Sequence, residues 1–161
     1  MTWTPSPYLM DHQRVGAEIA EREKRFGFFF DTGTGKTVLG IEIIKQKQIK
    51  TLVVCKLSLI VNAWMSDLSR FAPELKVVNL WEIQRKRNGK TPDHQVAIIN
   101  YERFRTTWTK LAGYEMVLID ESSSIKDHRS QITKALIRYT DKIPNVYLFS
   151  GTPAPNSNLE Y

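Results

Sequence analysis

Two hydrophobic periods alternate along this chain. Short apolar runs recur at residues 28–30, 51–55 (TLVVC), 95–100 (QVAIIN), 116–121 (MVLIDE) and 146–156 (VYLFSGTPAPN), and 76–80 is a further candidate. Runs this short, rich in β-branched and aromatic residues, predict strands covered on both faces. Between them the spacing turns helical. Residues 8–25 carry Val15, Ile19 and Ala20 at helical intervals, and an apolar-periodic run, 38–44, opens near Lys36. Ser58 is placed to cap a helix with apolar positions Ile60, Val61, Trp64 and Leu68, which Pro73 ends. Residues 101–111 and 131–139 read as helices too, the second with Ile132, Leu136 and Tyr139 on one side. Strands alternating with helices predict an α/β fold around a mainly parallel central sheet. Ligands of such sheets gather at the carboxyl ends of the strands.

Three polar motifs fall at those ends. The first is FFFDTGTGKT, residues 28–37, where an apolar strand drops into a glycine loop that opens a helix. That order is the context of a phosphate-binding loop. Gly33 and Gly35 let the backbone turn its N–H groups inward, so that Thr32, Gly33, Thr34, Gly35, Lys36 and Thr37 cradle phosphates. Lys36 reaches for the β- and γ-phosphates, and the Thr37 hydroxyl is a Mg²⁺ ligand. As a lone cation, Lys36 is expected to be exposed without nucleotide. Phe30 stands where the usual pattern begins with glycine. A plain Gly-Thr turn is the alternative. Ahead of the loop, Gln13 is either an exposed helix residue or a reader of the adenine edge through a bidentate amide contact.

The second motif is Asp120-Glu121 after an apolar strand. Asp120 suits a Mg²⁺ site, because that ion keeps several waters and takes few protein carboxylates. Glu121 suits the orientation and deprotonation of an attacking water. A surface Asp-Glu ending a strand is the alternative. A small-molecule kinase fits less well, since it needs a substrate lid and usually one carboxylate base. No Asn-Lys-x-Asp guanine reader appears. The third motif, Ser150-Gly151-Thr152, offers hydroxyls and a pliant backbone for sensing hydrolysis.

Composition narrows the class. The chain has 161 residues, 42% of them apolar and 25% charged, which fits one soluble domain. No run has the length of a membrane span, and MTWTPSPYLMDHQ lacks the features of a signal peptide. A cytoplasmic, nucleoid or nuclear location is expected, and secretion is not. The single cysteine, Cys55, falls in an apolar run and reads as a buried, inert thiol. A net charge of +6 and a pI near 9.5 favour polyanionic partners. The densest basic stretch, QRKRNGK at 84–90, is a solvated loop or a contact surface.

Taken in order, the motifs resemble the first RecA-like lobe of the Swi/Snf-type branch of superfamily-two helicase-type ATPases. LMDHQRVG is similar to that family's adenine-side glutamine motif and DTGTGKT to its phosphate loop, which also lacks the first glycine. TLVVCKLSLIVNAWMSDL and VAIINYERFR resemble stretches that approach DNA, DESSSIKD the D-E-x-H-type box, and SGTPAPN the coupling motif. The likeness runs from Leu9 to Tyr161. It departs at Asp11 and Lys56, where proline is usual, at Ser122 and Ser123 within the acidic box, and at Pro155. The resemblance implies a three-layer P-loop (RecA-like) domain that binds and hydrolyses ATP with Mg²⁺ as part of a DNA-dependent translocase. Implied partners are duplex DNA, as bare duplex or nucleoprotein, and a second RecA-like lobe, in cis or in trans, carrying the arginine fingers. No membrane partner is implied. Expected DNA contacts are residues 56–62 and 100–105, with Arg85 to Arg87 as an addition. The whole chain, 1–161, is expected to be a single N-terminal lobe. Two alternatives are a nucleotide-gated nucleic-acid-binding module without significant turnover and an unrelated P-loop enzyme acting on a small molecule.

Overall fold

The computed structural model describes residues 3–29, 35–86, 89–120 and 130–150. Six strands form one sheet: β1 (Arg25–Phe29), β2 (Thr51–Cys55), β3 (Val77–Asn79), β4 (Val96–Asn100), β5 (Met116–Asp120) and β6 (Asn145–Ser150). Their order is β1-β6-β5-β2-β4-β3, and every neighbouring pair is parallel. The expected α/β architecture is therefore present, with a sheet that is wholly parallel among its described strands.

Parallel strands need covers on both faces, and the alternation of side chains supplies two cores. On one face Phe28, Val53, Cys55, Val96, Ile98, Met116, Leu118, Tyr147 and Phe149 pack together. They are covered by α1 (Asp11–Arg22), α2 (Lys36–Lys47) and the stretch after β2. Here α3 (Leu57–Leu59) runs into a π-helical turn, Ile60–Met65, and then α4 (Ser66–Phe71). On the other face Leu52, Val54, Ala97, Ile99, Val117 and Ile119 pack against α5 (Leu80–Arg85), α6 (Tyr101–Thr107) and α7 (Gln131–Thr140). A helical turn, Trp108–Lys110, continues α6.

Several boundaries differ from the sequence expectation, each for a local reason. The first helix begins at Asp11 rather than at residue 8, because the Gln13 carboxamide oxygen accepts the Met10 N–H at 2.9 Å and so closes the helix start. Its buried stripe is Gln13, Gly16, Ala17 and Ala20, whereas Val15 is exposed. Small residues win there because the helices approach closely: a Cβ on Gly16 would meet Leu39 Cδ2 at 2.8 Å. Strand β1 starts at Arg25, in register with Val146, where Arg25 Nη1 donates to the Thr140 and Ile143 carbonyls at 3.1 and 2.7 Å. Lying at the sheet's border, its first residues need no apolar signal.

The helix after β2 has no Ser58 cap: Lys56 is the flanking residue, without a side-chain bond, and Val61 points to solvent. Helix α5 was not expected. Asn79 makes it possible by accepting the Glu82 N–H at 3.2 Å.

One further feature steadies α2. Glu42 is buried within this apolar helix, yet its carboxylate accepts Trp3 Nε1 at 2.9 Å, Ser6 N at 3.1 Å and Ser6 Oγ at 2.8 Å. Lys45 donates to Ser6 Oγ, to Tyr8 Oη at 3.1 Å and to the Phe71 carbonyl, so the N-terminal segment is strapped across the helix.

Candidate functional site

Parallel pairing brings the carboxyl ends of the strands to one edge, and the register matches Phe29 with Ser150 and Asp120 with Phe149. Below that edge, Phe28 stacks between Tyr147 and Phe149, at ring distances of 6.2 and 5.4 Å. Phe28 thus anchors the end of β1 against its neighbour β6.

Gly35 is the N-terminal flanking residue of α2 and adopts a left-handed conformation, φ 78°. A Cβ there would also meet Gln13 Nε2 at 2.2 Å, so two constraints demand glycine. Gln13 is buried, and its Nε2 donates to the Gly35 carbonyl at 3.2 Å. With its oxygen on Met10 N, the carboxamide brackets the start of α1 to the junction of loop and helix. Lys36 and Thr37 form the first turn of α2. Thr32, Gly33, Thr34 and Glu121 lie outside the described residues, as do Phe30, Gly151 and Thr152.

Asp120, the last residue of β5, is only 3% exposed. A buried carboxylate is costly unless paired and hydrogen-bonded. Lys36 Nζ stands 4.0 Å from its Oδ1, and Trp64 Nε1 donates to its Oδ2 at 2.8 Å. The Tyr101 hydroxyl donates to the Asp120 carbonyl oxygen, which ties the end of β5 to α6. Lys36 was expected to be exposed. Its side chain is instead 13% exposed, because the Asp120 carboxylate draws it into the edge. Cys55 lies close by and is buried. Burial, and then the negative charge of Asp120, push its thiol far above the usual range, which leaves it inert as expected.

Trp64 was counted from the sequence only as an apolar helix position. It is fully buried in the π-helical turn, and its ring lies against Gly40 of α2, where a Cβ would meet Cη2 at 2.6 Å. An interior helix glycine costs up to about 1 kcal/mol relative to alanine. Gly40 in mid-helix was the one sequence signal that something bulky sits there. Glu42 was likewise passed over, although a lone carboxylate in an apolar run signals a buried partner.

The expected DNA-side segments divide. Lys56, Leu57, Ser58, Val61 and Asn62 are exposed. In the second segment Asn100, Tyr101 and Phe104 are buried, leaving Glu102, Arg103 and Arg105 nearer the surface. Arg105 pairs there with Glu102. In the basic stretch, the Arg85 guanidinium lies 4.3 Å from the Trp81 ring centre, and Arg87 lies outside the described residues.

The SNF2-related domain matches residues 14–161. The chain belongs to that family. A Caenorhabditis elegans protein described as a SWI/SNF-related matrix-associated actin-dependent regulator of chromatin subfamily A-like protein 1 homolog is 30% identical over 155 residues. That match covers 91% of this chain and 22% of the relative. The mouse DNA annealing helicase and endonuclease ZRANB3 is 26% identical, covering 91% of this chain and 14% of the relative. This SNF2-related domain thus spans less than a quarter of either protein. Its fold also matches the Sulfolobus solfataricus SWI2/SNF2 ATPase core in complex with dsDNA. The TM-score is 0.73 at 23% identity, over 99% of this chain and 34% of that one. No described helix is long and apolar enough to cross a membrane.

Proposed function

We propose that this SNF2-related domain is the ATP-binding and hydrolysing RecA-like lobe of a DNA-dependent ATPase, working with a second lobe in cis or in trans. The observation that carries the proposal is the meeting of Lys36 and the buried Asp120 carboxylate, 4.0 Å apart, beside the left-handed Gly35. A cation, an acid and a loop–helix junction at the carboxyl edge of a parallel sheet are the parts of a phosphoryl-transfer site.

Lys36 turns from Asp120 to the β- and γ-phosphates, whose negative charge competes for the ammonium. The start of α2 adds backbone N–H groups and the positive end of the helix dipole. The donor set fits Mg²⁺: a buried carboxylate on Asp120 and a hydroxyl on Thr37, few protein ligands for an ion that keeps its waters. Bound there, Mg²⁺ would neutralise phosphate charge. Glu121 takes a proton from the attacking water, and Gln13 holds the adenine side. Ser150, buried at the end of β6, starts the segment that relays hydrolysis. The exposed surface from Lys56 to Asn62 meets the backbone of a duplex, and the net charge of +6 favours such a partner. The protein then acts wherever that DNA is.

Arg25, Arg85 and Arg105 are engaged with carbonyls, an indole ring and Glu102. An arginine finger from the second lobe supplies the remaining charge, worth ~10³–10⁵-fold in rate. The test is steady-state phosphate release by the 161-residue chain, with and without duplex and with and without a second lobe. The chain alone should bind ATP and turn over very slowly, with little response to DNA, and the second lobe should restore turnover. Failure to bind ATP overturns the site. Robust DNA-stimulated turnover by the chain alone overturns the need for a second lobe. Binding that never leads to release, even with the second lobe, identifies a nucleotide-gated module.

A further inference from the structure

We infer that Trp64 is a positioning residue for the acidic group of the site, fixing which oxygen of Asp120 faces Lys36. The inference takes the proposed assignment of Asp120 to the Mg²⁺-dependent part of nucleotide binding as given. A carboxylate at a strand end rotates readily about its terminal torsion, which is broad and two-fold. Here the rotation is arrested. The Trp64 indole N–H holds Oδ2 at 2.8 Å, and Oδ1 is left on the side of Lys36, at 4.0 Å.

The indole is itself immobilised. Trp64 has no exposed surface, and its six-membered ring rests on α2 at Gly40, where any larger residue would collide with it. The helix that begins with Lys36 and Thr37 therefore also seats the ring that orients Asp120. One rigid body registers the cation, the hydroxyl and the acid.

The backbone around Trp64 is unusual as well. The chain passes from α3 into a π-helical turn, Ile60–Met65, before returning to α4. Such turns are rare and often occur at functional sites. A π-helical turn changes the direction of the side chains that follow it, and in this one Trp64 is inward while Val61 and Asn62 are at the surface. The indole donor is charge-assisted, the stronger class of hydrogen bond, in a setting from which water is excluded.

Trp64→Phe deletes the donor and keeps an aromatic side chain, whose smaller ring leaves part of the space beside Gly40 unfilled. Equilibrium binding of adenosine imidotriphosphate, with Mg²⁺ and with excess chelator, separates the two parts of affinity. The variant should bind like wild type in chelator and lose about tenfold of the gain that Mg²⁺ confers. The second readout needs no nucleotide. In ¹⁵N–¹H spectra of the metal-free wild-type chain, the indole resonances of Trp64 and of Trp3, which donates to Glu42, should lie downfield, and of the four tryptophans only Trp64 should move upfield in Asp120→Asn. A Trp64→Phe chain that folds and keeps the full Mg²⁺ gain overturns the inference. So does an indole resonance indifferent to Asp120→Asn, which decides alone should Trp64→Phe not fold. A wild-type chain that binds no nucleotide refutes the phosphate-site assignment instead, and the Asp120→Asn comparison still reports on the indole contact.

Discussion

The two faces of the sheet are built from the same strands and carry different loads. The face under α5, α6 and α7 is a packing surface: aliphatic strand residues meet Phe104, Leu136 and Tyr139, with Phe104 edge-on to Tyr139 at 5.3 Å. The face under α1, α2 and the π-helical turn is as apolar, yet Gln13, Glu42 and Asp120 are buried along it. Each of them is tied to a partner from another segment. Apolar packing is non-directional and tolerates variation, whereas a buried polar group fixes a geometry because leaving it unmade is costly. The face under α5, α6 and α7 therefore supplies stability, and the face under α1, α2 and the π-helical turn supplies alignment.

Substitutions on the two faces should separate these loads. The largest effect is expected at Glu121, next along the chain from Asp120: Glu121→Gln should retain ATP binding and lose ~10²–10⁴-fold in turnover once a second lobe is present, as measured by phosphate release. Phe104→Ala on the packing face should cost about 3–5 kcal/mol of unfolding free energy. Urea titration measures that loss, and nucleotide affinity of the folded fraction should be unchanged. A change in affinity would erase the distinction between faces. On the aligned face the pattern should invert: Lys36→Ala should weaken Mg²⁺–ATP binding roughly 10²-fold, within the 2–5 kcal/mol typical of breaking a desolvated charge contact. Calorimetry reads that loss directly, and the unfolding midpoint should move far less than in Phe104→Ala.

Alkaline pH should act on both faces alike. Burial pushes the Tyr114 hydroxyl, which bonds His94, and the Tyr147 hydroxyl, which donates to the Ala20 and Glu23 carbonyls, up to about 12 each. A phenol in the unfolded chain ionises near pH 10, so between there and about 12 the unfolded state holds fewer protons and stability falls as pH rises. The loss should be on the order of 2–3 kcal/mol per tyrosine, and nearly absent below pH 9. Urea midpoints across pH 8–12 test it, with Tyr147→Phe removing one face's share and Tyr114→Phe part of the other's, the rest resting with Tyr139, whose hydroxyl is also pushed up by burial.

The succession of elements could be read from the chain because its signals are local. TLVVC, VAIIN and MVLID each carry four consecutive apolar positions, which suits a strand only if both faces are covered, and alternation with helices leaves a parallel sheet as the solution. The glycine loop, Lys36 and the acid at the end of MVLID were visible for the same reason: each motif carries its chemistry in adjacent residues. What could not be read depended on partners far along the chain. Gln13 is buried because Gly35, distant in sequence, leaves space and a carbonyl for its amide. Lys36 is drawn inward by a carboxylate that only the strand order β1-β6-β5 brings near. Trp64 was indistinguishable from any core aromatic until a π-helical turn aimed its N–H at Asp120 and Gly40 made room for its ring. Periodicity records which face of an element is dry. Only the folded chain decides which buried polar atoms find each other there, because that depends on three-dimensional distance, which spacing along the sequence does not encode.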